Sequence, residues 1–124
     1  MARKDPAAAL ADISRRYREL CQALSGTGFI ASGSVTQRYT HCNRPGCRCG
    51  ADPPALHGPY WQWTAKVAGR TVTKRLSAAE AAVYQEQIAN DRQLRAVIEQ
   101  MRSVAGEARE LILAADGEEA RRSP

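Results

Sequence analysis

The sequence predicts an α+β fold in which an N-terminal helix and a long C-terminal helix flank a small antiparallel β module. Three observations carry that expectation. Apolar residues recur at steps of three and four over 6–24, and do so again beyond residue 80. Between those stretches, over 33–76, apolar and polar residues alternate with the period of two that suits strands. A chain of 124 residues fits one domain, and no compositional break argues for a second, so one domain over 1–124 is expected. Charged residues make up 25% and aromatics only 6%, so the core is thin and a metal staple or self-association would supplement it.

The first helix is expected over 6–24. Pro6 suits a first helical turn, and Leu10, Ile13, Tyr17, Leu20 and Leu24 form one stripe of a 3.6-residue period. Ser25, Gly26, Thr27 and Gly28 then stop it. Cys21 lies beside the stripe and is read as a small core residue rather than a ligand.

The β module is expected over 33–76. GSVTQRYT, residues 33–40, alternates Val35, Gln37 and Tyr39 with Ser34, Thr36 and Arg38. Farther on, PYWQWTAKV and RTVTKRLS are joined by Ala68-Gly69, a two-residue hairpin turn. Pairing Val67 with Arg70 sets Ala65 opposite Val72, Trp63 opposite Lys74 and Trp61 opposite Leu76. Trp61, Trp63, Ala65, Val67, Val72 and Leu76 then share the face expected to be buried.

Ser77 to Glu80 spell a capping box, with a hydroxyl N-cap and a Glu three residues on, so a long helix is expected over 77–115 and a frayed tail over 116–124. Leu94, Met101 and Ala108 fall at heptad position a, and Val97, Val104 and Leu111 at d, preceded by the polar pair Gln87 and Asn90. Ile98, Ala105 and Ile112 at e widen the stripe, so the helix should pack on more than one neighbour. A coiled-coil homodimer through residues 83–112 is expected.

CNRPGCRC, residues 42–49, sets Cys42, Cys47 and Cys49 close together, and His57 follows. Cys3His is a common tetrahedral set for structural Zn²⁺, and Pro45-Gly46 can turn Cys47 back toward Cys42. His57 is preferred as fourth donor over His41, which points away from Cys42, and over Asp52, a less usual structural ligand. Two other readings stay open. A redox centre would want Cys-x-x-Cys near a βαβ pattern, and an iron–sulfur cluster would need Cys21 as a fourth thiolate. No run approaches the roughly 18 apolar residues of a membrane span, so a soluble, cytoplasmic protein with reduced thiols is expected.

The net charge of +5 is unevenly spread. Residues 34–76 hold seven bases, Arg38, Arg44, Arg48, Lys66, Arg70, Lys74 and Arg75, against Asp52 alone. That surplus points to an anionic partner, nucleic acid first, with these seven residues on phosphates and Tyr60 as a stacking group. The alternative is an assembly factor that dimerises through its long helix and docks a recombinase or other protein. No paired carboxylates, Ser/His constellation or phosphate-cradling loop is visible, so catalysis is not expected.

Gly33-Ser34, Arg38-Tyr39, the Cys-x4-Cys-x-Cys cluster and His57-Gly58-Pro59-Tyr60 together resemble an uncharacterised, zinc-ribbon-like family of small bacterial proteins. The resemblance covers residues 32–100 and implies a setting near transposases and other mobile elements rather than an activity.

Overall fold

The computed structural model describes residues 5–122, in the order α1 (Pro6–Ser25), β1 (Ser34–Thr40), a 3-10 turn (Arg48–Gly50), β2 (His57–Val67), β3 (Arg70–Leu76) and α2 (Ala78–Arg122). The architecture is α+β, with a three-stranded antiparallel sheet in the order β1-β2-β3. The chain forms two compact units: one takes in residues 28–91, the other the segments before 28 and from 92 onward.

In the sheet unit the hairpin register is Val67 with Arg70, Ala65 with Val72, Trp63 with Lys74 and Trp61 with Leu76, as the alternation predicts. Ala68 (φ 51°) and Gly69 (φ 79°) both take positive φ, the turn type whose twist matches the strands it joins. The first part of α2 covers one face of the sheet. Tyr84 lies 5.1 Å from Trp63 between ring centroids, and Ala65, Leu76 and Ala81 are buried. Val67 and Val72 share that face but remain 49% and 38% exposed, a correction to the expected burial. Tyr84 and Glu80 of α2 meet Trp63 and Lys74, four residue pairs before the turn, and both valines lie beyond them toward the hairpin tip.

Ser77 and Glu80 form the capping box in both directions, each bond 3.1 Å. The Ser77 amide, then its hydroxyl and nearby Lys74, hold the Glu80 carboxyl below its ordinary range. The polar interruption at Gln87 and Asn90 also has a structural use. The Gln87 carbonyl accepts from the Ala31 amide at 3.1 Å, and Asn90 Nδ2 donates to the Phe29 carbonyl at 2.9 Å. These bonds clip the chain entering β1 against α2. Gly33 (φ 95°) then makes the entry, where a Cβ would run into the Thr64 carbonyl and Ala65.

In the helical unit α1 packs on residues 92–122 of α2, with Ile13, Val97 and Val104 buried and Arg16 paired to Glu107 at 3.2 Å. Leu10 shares a groove with Ile112, and Leu20 shares one with Gln100, so the two helices run in opposite directions. Two expectations are corrected here. Cys21 is exposed rather than a core residue, since it falls outside the arc that faces α2. The helix also continues through Arg122 instead of ending near 115, because no proline intervenes before Pro124 and Gly117 alone does not break it.

The positive φ at Ala68 yields a stability prediction. A non-glycine residue in the left-handed region costs about 1 kcal/mol, and Asn tolerates it better. Ala68→Asn is therefore expected to raise the urea midpoint by an amount equivalent to roughly 1 kcal/mol, with no change in m-value.

Candidate metal centre

The donors come from three local structures, each dictated by short-range chemistry. Cys42 follows the end of β1. Cys47 and Cys49 belong to a knuckle: Pro45 and Gly46 (φ 79°) occupy the centre of a turn closed by the Cys47 amide on the Arg44 carbonyl at 3.3 Å. A 3-10 turn follows at once, with the Gly50 amide on the Cys47 carbonyl at 3.0 Å, and Ala55 returns to the Arg48 carbonyl at 3.0 Å. The two cysteines are thus held on one compact turn.

His57 is placed by a bulge. Arg38 pairs with Tyr60 and Thr40 with His57, so Gly58 and Pro59 together stand opposite Tyr39. Gly58 (φ 128°) takes the bulge conformation, and a Cβ there would lie 2.7 Å from the Arg38 carbonyl. Pro59 fits a position where the ladder needs no amide donor. The bulge delivers His57 to the end of the sheet beside Cys42.

The four donor atoms all lie within 4.8 Å of one another. Cys47 Sγ is 3.1 Å from His57 Nε2, and Cys42 Sγ is 3.5 Å from Cys49 Sγ. The Cys42 amide also donates to Cys49 Sγ at 3.2 Å. Cys49 is 1% exposed, and the other three donors are half-buried. Three soft sulfurs and one imidazole converging without an intervening side chain are compatible with a metal site. His41 and Asp52 are exposed and take no part, and Cys21 is likewise outside the group.

The sulfurs are electrostatically unequal. The Cys49 amide, then the Cys42 and Cys49 side chains, stabilise the Cys47 thiolate and lower its pKa to about 6. At Cys42 the Arg44 amide pulls the other way, but the Cys47 and Cys49 sulfurs outweigh it and the thiol is raised above its ordinary 9.0.

With these residues placed, the chain can be set beside known proteins. A family model matches residues 10–86, which takes in most of α1, the whole sheet and the cysteine loop. The chain belongs to the family described as a domain of unknown function, DUF6788. The DUF6788 match includes α1, which the resemblance over 32–100 left aside, and stops within α2 at residue 86. No curated protein and no solved structure matches the chain.

The structure divides the seven bases and Tyr60 among different surfaces. Arg38, Tyr60, Lys66 and Arg75 stand on the face of the sheet opposite Trp63, with Arg75 Cζ 3.4 Å from the Tyr60 ring centroid. Arg44 and Arg48 lie exposed in the cysteine loop. Arg70 and Lys74 point to the other face, and Lys74 meets Glu80 at 4.0 Å and the Tyr84 ring at 5.9 Å. No single sheet face therefore gathers all seven, because alternate residues on a strand face opposite ways. The alternation of β2 and β3 already sets Thr64, Thr71 and Thr73 beside Lys66 and Arg75, but sequence reasoning gave these hydroxyls no role. Ser34, Thr36, Thr64, Thr71 and Thr73 share the open face, which carries no carboxylate.

Metal-free protein offers a direct check on the unequal thiols. At pH 7 Cys47, its pKa lowered to about 6, is mostly thiolate whereas the raised Cys42 thiol stays protonated, so Cys47 should alkylate faster despite its lower intrinsic nucleophilicity. The Cys47 rate should rise with pH and level off above about 6. Peptide mapping after a brief iodoacetamide pulse measures both rates, and equal labelling would contradict the assignment.

Proposed function

We propose that this protein is a non-catalytic, zinc-stabilised nucleic-acid-binding protein that uses the open face of its sheet. One observation carries the reading: Arg38, Lys66 and Arg75 share a carboxylate-free face with Tyr60 and a row of hydroxyls, and the metal cluster lies at the end of the same strands. Guanidinium, ammonium and hydroxyl groups are the usual partners of phosphate oxygens. Arg44 and Arg48 in the metal loop extend the positive surface.

Zinc is the metal the donor set favours. A Zn²⁺ ion at about 2.3 Å from sulfur and 2.0–2.1 Å from nitrogen sets tetrahedral edges of roughly 3.6–3.8 Å. The separations here, from 3.1 Å up to 4.8 Å, bracket those edges. Four protein donors complete the tetrahedron and leave no position for water or substrate, which supports a structural rather than catalytic role. Such a site contributes about 10–16 kcal/mol of apparent free energy, as much as the whole stability of a small domain. The genomic setting implied by the family resemblance, near transposases, fits a role accessory to a mobile element.

The face gives a quantitative expectation. Three phosphates neutralised by Arg38, Lys66 and Arg75 give a log–log salt slope of about −2.7 on duplex DNA, and engagement of Arg44 and Arg48 as well steepens it to about −4.5. Anisotropy titrations with labelled duplex and single strands, between about 50 and 200 mM salt, measure it. Arg75→Ala or Lys66→Ala should each flatten the slope by about 0.9, whereas Arg70→Ala on the opposite face should change it little. Salt-independent binding, or none at the lower salt, would overturn the nucleic-acid reading. Elemental analysis short of one zinc per chain would overturn the metal assignment separately.

A further inference from the structure

The helical unit sorts its charges between two flanks. On one flank Arg16 pairs with Glu107 at 3.2 Å, and Glu19, Gln100 and Ser103 complete a mixed polar surface. On the other an apolar groove of about 600 Å³ opens between Leu10 and Tyr17 of α1 and Ala108 and Ile112 of α2. It runs on past Tyr17 to Ile98 and Met101. The charged residues that line it are Arg18, Arg102 and Arg109, and among the described residues no carboxylate joins them. The heptad of α2 explains the division. Val97 and Val104 at d are buried, the groove lies over the a and e rows beside them, and Gln100 and Glu107 at g fall on the polar flank. Outward of e comes b, which reads Arg95, Arg102 and Arg109. Arginine therefore rims the apolar stripe at every second turn, over about 21 Å of helix. Arg102 also meets Glu99, whereas Arg18 and Arg109 stand outside the ion pairs of the described residues.

We infer that this groove docks an acidic amphipathic helix of a partner protein, its apolar side chains in the groove and its carboxylates on Arg18, Arg102 and Arg109. Charge complementarity selects that occupant, since guanidinium takes carboxylate in paired, charge-assisted bonds. The apolar floor turns away a nucleic-acid backbone, which would bring phosphates and nothing apolar to Leu10, Met101 and Ile112. Spacing turns away an amphiphile with a single anionic head: Arg102 and Arg109 are about 10 Å apart along α2, so the occupant carries carboxylates at two levels, as a helix with acids seven residues apart does. A second copy docked by the same flank would set these arginines against one another across the two-fold axis. A hollow between two packed helices is also the shape that receives a third by its i, i+4 and i+7 anchors.

Fluorescence anisotropy of the full chain with a labelled helical peptide tests the inference. The peptide carries Leu at i, i+4, i+7 and i+11 and Glu along both sides of that stripe; one control replaces every Glu by Lys, another every Leu by Ser. The acidic amphipathic peptide should bind with a dissociation constant of about 10 μM or tighter at ~50 mM salt, and each control at least about 10-fold more weakly. Arg109→Glu and Arg18→Glu should each weaken binding about 10-fold, and the double variant should prefer the Lys peptide. Both arginines are exposed, so helicity by circular dichroism should persist, and either variant serves if the other loses it. Ser103→Glu, on the polar flank, should leave affinity unchanged. No binding up to about 1 mM peptide overturns the inference. So does equal binding of the Lys peptide, unaltered affinity in both arginine variants, oleate held more tightly than the peptide, or a dimer of the chain that the peptide does not disperse.

Discussion

The bulge at Gly58-Pro59 is the constraint on which the sheet unit turns. A regular ladder from Arg38–Tyr60 would carry β2 past the end of β1 in another register, and His57 would then face away from the cysteines. The extra residue resets the pairing to Thr40–His57, and the imidazole reaches 3.1 Å from Cys47. Three sulfurs so close do not all ionise unaided, because neighbouring thiolates repel one another. The opposed behaviour of Cys47 and Cys42 follows from the hydrogen bonds of the cluster: the Cys49 amide and the neighbouring thiols favour the Cys47 thiolate, and Cys42 is left as the protonated partner. A divalent cation at the centre would turn the same crowding into attraction and would tie the knuckle, the end of β1 and the start of β2 to one point.

That tie matters for the sheet because its two faces have different supports. Tyr84, Ala81 and Glu80 of α2 cover one face from Trp63 to Leu76. The side chains of the other face are hydroxyls, a glutamine, Tyr60 and three bases. A three-stranded sheet covered on one side is a marginal structure unless its strand ends are secured. The hairpin turn secures one end of the β2–β3 pair, and the donor cluster secures the β1–β2 end. The uncovered face can then stay polar and solvated, which a phosphate-binding surface requires.

Much of this was legible in the sequence for identifiable reasons. The hairpin register follows from a period of two and one admissible turn, and the capping box follows from hydroxyl and carboxylate spacing. The four donors were legible because thiol and imidazole close together have few other uses. The bulge was not, since His-Gly-Pro-Tyr fixes a local backbone choice whose effect on register shows only against β1. Gln87 and Asn90 read as gaps in a heptad stripe because their service to the backbone at Phe29 and Ala31 is long-range. Assigning all seven bases to one partner summed charge along the chain, whereas the pairing of Lys74 with Trp63 already placed it on the covered face.

The two units differ in charge. Residues 28–91 hold seven bases against four acids, while the described part of the helical unit balances. Counterion release scales with phosphates neutralised, so a balanced helical layer adds little to nucleic-acid affinity, and its ion pairs within and between the helices are already satisfied. The sheet unit, in turn, sets α2 against part of one sheet face and exposes Phe29, Ile30, Tyr39, Leu56, Val67, Val72 and Val83. The basic surplus of the chain therefore lies in the sheet unit, apart from the balanced charges of the helices.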